Sequence, residues 1–148
     1  MLFRSHGRVI AASAWKGEAV VSHEGFNTLA SCQTSALLAT SKKIVVSDQN
    51  NKDLYKKNIT GKALCMPETI GSTTGGMVIQ TIAVRNLAPK AWLFSHHIDP
   101  LAASGIILSN VWNNAGLIAI DELGDDFLEA VKTGDTIEIK EDGTVIVA

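Results

Sequence analysis

Cysteine is scarce in this chain: Cys32 and Cys65 are the only two in 148 residues, too few and too far apart for a disulfide framework. That scarcity fits a reducing compartment, and a cytoplasmic protein is expected. Proline occurs three times and no biased tract is present, which argues against a long disordered region. Positive charge is not in excess. Thirteen Lys and Arg face 15 Asp and Glu, giving a net charge of -2 and no electrostatic basis for binding nucleic acid. The opening MLFRSHGRVI has no long apolar run, so neither secretion nor a membrane span is expected, and the sequon Asn58-Ile59-Thr60 reads as accidental. What the chain does have is 46% hydrophobic residues, enough for one ordinary domain over residues 1–148 with a real core.

Apolar periodicity orders the rest. Arg8–Ala14 and Glu18–Ser22 read as two strands of a hairpin joined by Trp15-Lys16-Gly17. His23–Thr40 reads as a loop with some helix, Lys43–Ser47 as a compact β-branched run, and Asp48–Thr60 as a polar excursion with no apolar face. Lys62–Met66 is a strand feeding a Gly/Ser/Thr turn. Helical spacing of Val78, Ile79, Ile82, Ala83 and Leu87 then predicts a helix over 75–87, stopped by Pro89. A strand over 91–95 leads to a second helix with Asp99 at its cap and Pro100 at its first position. Gly116–Asp121 is a strand and Asp125–Lys132 a short helix ended by Gly134. A hairpin closes the chain, Thr136–Lys140 and Thr144–Val147 turning at Asp142-Gly143. A β-α-β-α-β-α middle between β-rich ends makes the class α/β, with parallel strands in the middle and antiparallel or barrel-like strands added at the ends.

The most informative stretch is GKALCMPETIGSTTGG, residues 61–76. A strand there runs through Pro67 into Gly71-Ser72-Thr73-Thr74-Gly75-Gly76 and at once into a helix. Such a turn offers backbone N–H groups and hydroxyls at a helix N-terminus, a setting suited to a carboxylate, a phosphate or a serine alkoxide. No Lys follows the glycines, so it is not a Walker A loop, and the spacing fits neither a Gly-x-Ser-x-Gly elbow nor a dinucleotide fingerprint. A plain helix-starting turn has the same composition, and that reading stays open. Cys65 ends the strand before the turn, but no CxxC or Cys/His cluster supplies further metal ligands, and a small buried residue is the simpler account. His96 and His97 follow the next strand, where α/β folds place ligands; at most one of the two faces any given site. In the polar loop His23–Asn27, Glu24 and Asn27 are candidates for contacting a ligand. Trp15, Trp92 and Trp112 read as core or interface anchors.

The stretch GKALCMPETIGSTTGGMVIQ and the later LAPKAWLFSHHIDPLAASGIIL resemble the small, swivelling domain of the aconitase X dehydratases. GRVIAASAWKGEAVVS and IVVSDQNNKDLYKKNITGKAL extend the resemblance over nearly the whole chain, and the Gly-Ser-Thr-Thr-Gly turn is its most specific element. The resemblance implies a swivelling β/β/α domain, a mixed sheet with barrel-like strands and flanking helices. It also implies a two-part hydro-lyase. A large catalytic subunit or domain holds an iron–sulfur cluster that takes the leaving hydroxyl, and the small part brings Ser72 as general base. A serine is too weak an acid for this unless N–H groups of the turn stabilise its alkoxide and closure excludes water.

On this resemblance Gly71, Thr73, Thr74 and Gly75, with Asn27 and His97, are expected to contact the substrate, a small hydroxy acid or hydroxy amino acid. Two activities are implied: dehydration of cis-3-hydroxy-L-proline to a pyrroline carboxylate, and dehydration of mevalonate 5-phosphate. The archaeal mevalonate form usually carries an Arg before the Gly-Ser and a Cys after it; here those positions are Ile70 and Thr73. The hydroxyproline type is therefore the first expectation, and in that type a cysteine at the position of Cys65 is implied as a cluster ligand. A non-catalytic swivel module binding an anion or a partner is the reading of a different class. An enzyme half should expose an apolar patch near the turn, with Met77, Trp92 and Trp112 as candidates.

Overall fold

The computed structural model describes residues 2–71 and 73–148; Met1 and Ser72 lie outside the described residues. Four parallel strands form the centre: β3 (Trp15–Val21), β5 (Ala63–Met66), β7 (Ala91–Phe94) and β8 (Ile118–Asp121). Antiparallel strands flank them. β9 (Thr136–Ile139), β10 (Thr144–Val147) and β1 (Phe3–His6) extend the sheet beyond β3, and β2 (Arg8–Ala11) pairs with β8 at the other edge. β1 and β2 thus occupy opposite edges of the order, yet only Gly7 separates them in the chain. The sheet must therefore curl until its edges meet, which is the barrel-like character expected of the ends. At that seam a Cβ on Gly7 would lie 2.4 Å from the Asp121 carbonyl oxygen.

Strand alternation sorts the apolar residues into two cores. Leu64, Met66, Trp92 and Phe94 face the helices α1 (Thr28–Leu37), α2 (Gly75–Val84) and α3 (Pro100–Asn113). Ala63, Cys65, Ala91 and Leu93 face into the curl, against Ile137, Ile139, Val145 and Phe127 of α4 (Asp125–Ala130). Trp92 is fully buried beside Phe26, ring centroids 6.1 Å apart, and is not the interface anchor expected. Met77 and Trp112 are exposed.

The opening hairpin does not form. Trp15, Lys16 and Gly17 are strand residues paired with Ile139, Glu138 and Ile137, and β2 pairs elsewhere. Gly17 is needed because the Trp15 ring folds over it, 2.3 Å from where a Cβ would sit. Lys43–Ser47 is an arm rather than a strand: Val45 makes one bridge to Asn58 while Ile44 and Val46 are buried. The excursion after it does contribute to the core, through Leu54 and Ile59. α2 stops short of Pro89. Asn86 adopts φ 58°, and the N–H groups of Asn86 and Leu87 bond the carbonyls of Ala83 and Ile82, a Schellman ending that buries Leu87. The closing hairpin and the start of α3 stand as expected. Among the described residues no helix is long and apolar enough to cross a membrane.

Candidate active site

The loops after β3, β5 and β7 leave the same edge of the parallel strands, where open α/β sheets receive ligands. Two of these loops are joined by a two-strand pairing that the sequence did not show. β4 (Phe26–Asn27) runs parallel to β6 (Thr69–Ile70). This pairing brings Asn27 against the Gly/Ser/Thr turn. Gly71 has φ 107°, a region that favours glycine, and a Cβ there would sit 2.9 Å from the Asn27 carboxamide. Asn27 also caps α1, its Oδ1 accepting from the Ala30 N–H at 3.0 Å.

Three helix N-termini meet here. A cavity of about 210 Å³ is lined by Thr28 at the start of α1, Gly75 at the start of α2, and Leu101 and Ala102 in the first turn of α3. Thr69, Ile70, Gly71 and Asp99 complete it. The dipoles of all three helices add positive potential at this point. Asp99 spends its oxygens on the fold: Oδ2 accepts from the N–H groups of Leu101 and Ala102, both at 3.0 Å, and the Thr69 hydroxyl donates to Oδ1. α2 and α3 touch backbone to backbone, since a Cβ on Gly76 would lie 2.7 Å from the Leu101 carbonyl oxygen and one on Gly105 would lie 2.6 Å from that of Gly76. Thr73 and Thr74 are exposed just outside the cavity. Ile70 and Leu101 give the cavity an exposed apolar rim, and Met77 is exposed in the first turn of α2.

Gly71, Gly75 and Asn27 are therefore together at one site, with Thr73 and Thr74 next to it in the chain. Ser72, the expected base, lies outside the described residues. His97 is not part of the cavity lining. Its exposed ring belongs to a separate cluster, with Nδ1 3.3 Å from Glu122 Oε1 and both ring nitrogens 3.3 Å from Arg8 Nη2. The centre of that cluster is Asp121, whose side chain is inaccessible and accepts from Arg8 Nε at 2.9 Å, Arg8 Nη2 at 2.5 Å and the Ile98 N–H at 2.9 Å. Burial acts to raise the Asp121 carboxyl, but the Arg8 and Ile98 hydrogen bonds outweigh it and hold the group below the usual carboxylate range. Of residues 96–99, only Asp99 is in the cavity lining, while the Ile98 N–H is tied to Asp121.

Cys65 is fully buried inside the curl, and its thiol contacts only the Ala63 carbonyl of its own strand at 3.8 Å. Burial pushes that thiol well above its ordinary range. Among the described residues no group of three or more His, Cys, Asp or Glu could hold a metal ion. The described residues alone do not supply a cluster's ligands, and strand alternation turns Cys65 into the curl with Ala63 and Leu93 rather than toward the cavity. Thr28, Thr69 and the Arg8–Asp121 pair were missed from the sequence. Asn27 preceding Thr28-Leu29 was an available cap signal for α1, whereas Arg8 and Asp121 are 113 positions apart.

Comparison with known proteins places these features. A profile of the aconitase X swivel domain matches residues 4–147. The phosphomevalonate dehydratase small subunit of Methanocella arvoryzae is 35% identical over 91 residues, which span 62% of this chain and 62% of that protein. The protein of the same name from Methanocaldococcus jannaschii is 29% identical over 133 residues, 90% of this chain and 88% of that one. Among solved structures, aconitase X of Thermococcus kodakaraensis in its holo form superposes with a TM-score of 0.82 at 26% identity, over 99% of this chain and 98% of that one.

Proposed function

The chain belongs to the aconitase X swivel domain family, and from that premise we propose that it is the small subunit of a two-part dehydratase acting on mevalonate 5-phosphate. The names of the relatives favour this substrate over the cis-3-hydroxy-L-proline first expected from the family resemblance. The observation that carries the reading is the cavity at the joint N-termini of α1, α2 and α3, with Gly71 and Gly75 of the glycine turn in its lining. The exposed apolar rim of Ile70 and Leu101, with exposed Met77 in the first turn of α2, supports a partner that covers this mouth, so the chain is inactive alone. The iron–sulfur cluster is assigned to that large partner, because the described residues hold no group of three or more His, Cys, Asp or Glu that could bind a metal ion. Residues 1–148 act as one swivel domain.

In this reading Ser72 removes the substrate proton. The N–H groups at the start of α2 and around Gly71 stabilise its alkoxide, while closure against the partner excludes water. Thr73 and Thr74 stand beside Ser72 as further hydroxyl donors. A second reading, the hydroxyproline dehydratase, is favoured by one feature: Ile70 stands where an Arg usually precedes the turn, and the described cavity lining holds no cation.

The test is anaerobic co-expression with a candidate large subunit and assay of both substrates. Loss of mevalonate 5-phosphate that needs both chains, and that falls by about 10²–10⁴-fold in Ser72→Ala with the fold intact, is the expected result. Turnover of hydroxyproline instead would select the second reading. Full activity in Ser72→Ala would remove Ser72 as the base, and absence of any complex would leave a non-catalytic module.

A further inference from the structure

We propose that the outward face of α3 is the contact through which two copies of this chain pair. No Asp, Glu, Lys, Arg or His occurs in α1, α2 or α3, although the chain carries 13 Lys and Arg and 15 Asp and Glu. One stripe of α3 is already spent on the domain's own core, since Ala102, Gly105, Ile106 and Ser109 are buried. A second stripe, Ser104, Ile107, Leu108, Val111 and Trp112, keeps the i, i+3, i+4, i+7, i+8 spacing of a core-facing helix yet points to solvent. Val111 is 67% exposed and Trp112 71%. A helix apolar on both sides is one that is covered on both sides in its working state.

Charge selects the occupant. A two-fold axis sets each residue near it against its own copy, so any charge there meets a like charge. A different protein can match each charge with its opposite and gives no reason to keep charge off all three helices. A membrane surface is disfavoured as well, because interfacial helices draw on Lys and Arg to hold anionic lipid, and α3 has neither. The stripe also runs away from the cavity mouth: at 1.5 Å per residue Trp112 lies about 16 Å along the helix from Leu101. With two α3 helices antiparallel about Leu108, Trp112 of one copy meets the partner's Ser104, a large ring over a small residue. The apolar side chains of the stripe supply roughly half of the ~800 Å² that each side of a stable interface buries. That puts the dimer at the weak, micromolar end of specific contacts.

The test is sedimentation equilibrium of the full chain over a range from about 1 to about 300 µM. The mass should rise from 15.7 kDa toward twice that value, with a midpoint on the order of 10 µM. Trp112→Lys and Val111→Asp, both at exposed positions, should each weaken pairing by about tenfold or more while circular dichroism and the urea midpoint stay unchanged. Leu2→Lys, equally exposed but off the helices, should leave pairing intact. A chain that stays at 15.7 kDa throughout overturns the proposal. So does a dimer indifferent to both α3 variants, which would pair through another face. If the chain is monomeric alone and Trp112→Lys abolishes capture by a large subunit, or binding to phosphatidylcholine–phosphatidylserine vesicles, the stripe belongs to that surface and the proposal falls. None of these outcomes bears on the dehydratase reading, which is decided by turnover.

Discussion

Two strand-to-helix turns stand side by side at one edge of this sheet and are built in opposite ways. The turn from β7 to α3 is closed by two carboxylates: its own Asp99 accepts from Leu101, Ala102 and Thr69, and Asp121 at the end of β8 anchors Ile98 within the turn. The turn from β5 to α2 has no acidic residue in the first helical turn and relies on Gly71 packed against Asn27. The lesson is about where positive potential is spent. α3 neutralises its N-terminus internally and serves as a wall, whereas the start of α2 has neither an acidic residue in its first turn nor a side-chain cap.

The largest expected effect lies where the two helices meet. Gly76→Val should cost about 3 kcal/mol in urea denaturation, since the new side chain drives into the Leu101 backbone and the helices must separate. Gly75, with nothing within 4 Å of a Cβ, should accept alanine with little loss, so equal damage at both positions would break the contrast.

Removing the buttress of the closed turn ranks next. Asp121→Ala should cost about 2 kcal/mol at neutral pH, through lost hydrogen bonds to charged and buried donors. The sign follows from linkage: a carboxyl held below its unfolded value near 3.9 contributes fully above about pH 4 and loses that contribution as pH falls through its folded value. Denaturation between pH 2 and 7 should therefore show a shallower acid limb in the variant. An unchanged limb would mean that Arg8 and Asp121 contribute nothing net.

The smallest effect is at the cap. Asp99→Ala should cost about 1 kcal/mol, while Asp99→Asn should recover most of it, because the side-chain oxygen rather than the charge does the capping. If alanine leaves stability unchanged, the closed turn owes its rigidity to Asp121 alone.

Much of this fold is legible from short-range signals. Asp99-Pro100 and Asp142-Gly143 mark a helix start and a hairpin turn by local backbone chemistry, and the central strands show as short apolar runs. What escapes is pairing at a distance. β1 and the β4–β6 bridge are too short to carry a periodic pattern, and Gly17 resembles a turn residue although an aromatic ring, not a bend, demands it. The glycine turn and Asn27 could be proposed separately, but only the fold shows that Gly71 touches Asn27. Cys65 is the converse case: sequence placed it beside the turn, and the two-residue period of a strand turned it inward.

The crossing of Gly76 and Gly105 has an evolutionary consequence. A clash in a core is usually relieved by a second substitution that shrinks the neighbour. Here each residue's neighbour is main chain, and neither glycine has a side chain to give up. No second-site suppressor of matching size exists for a substitution at either position. A larger residue at either position must therefore be accommodated by moving a helix as a whole.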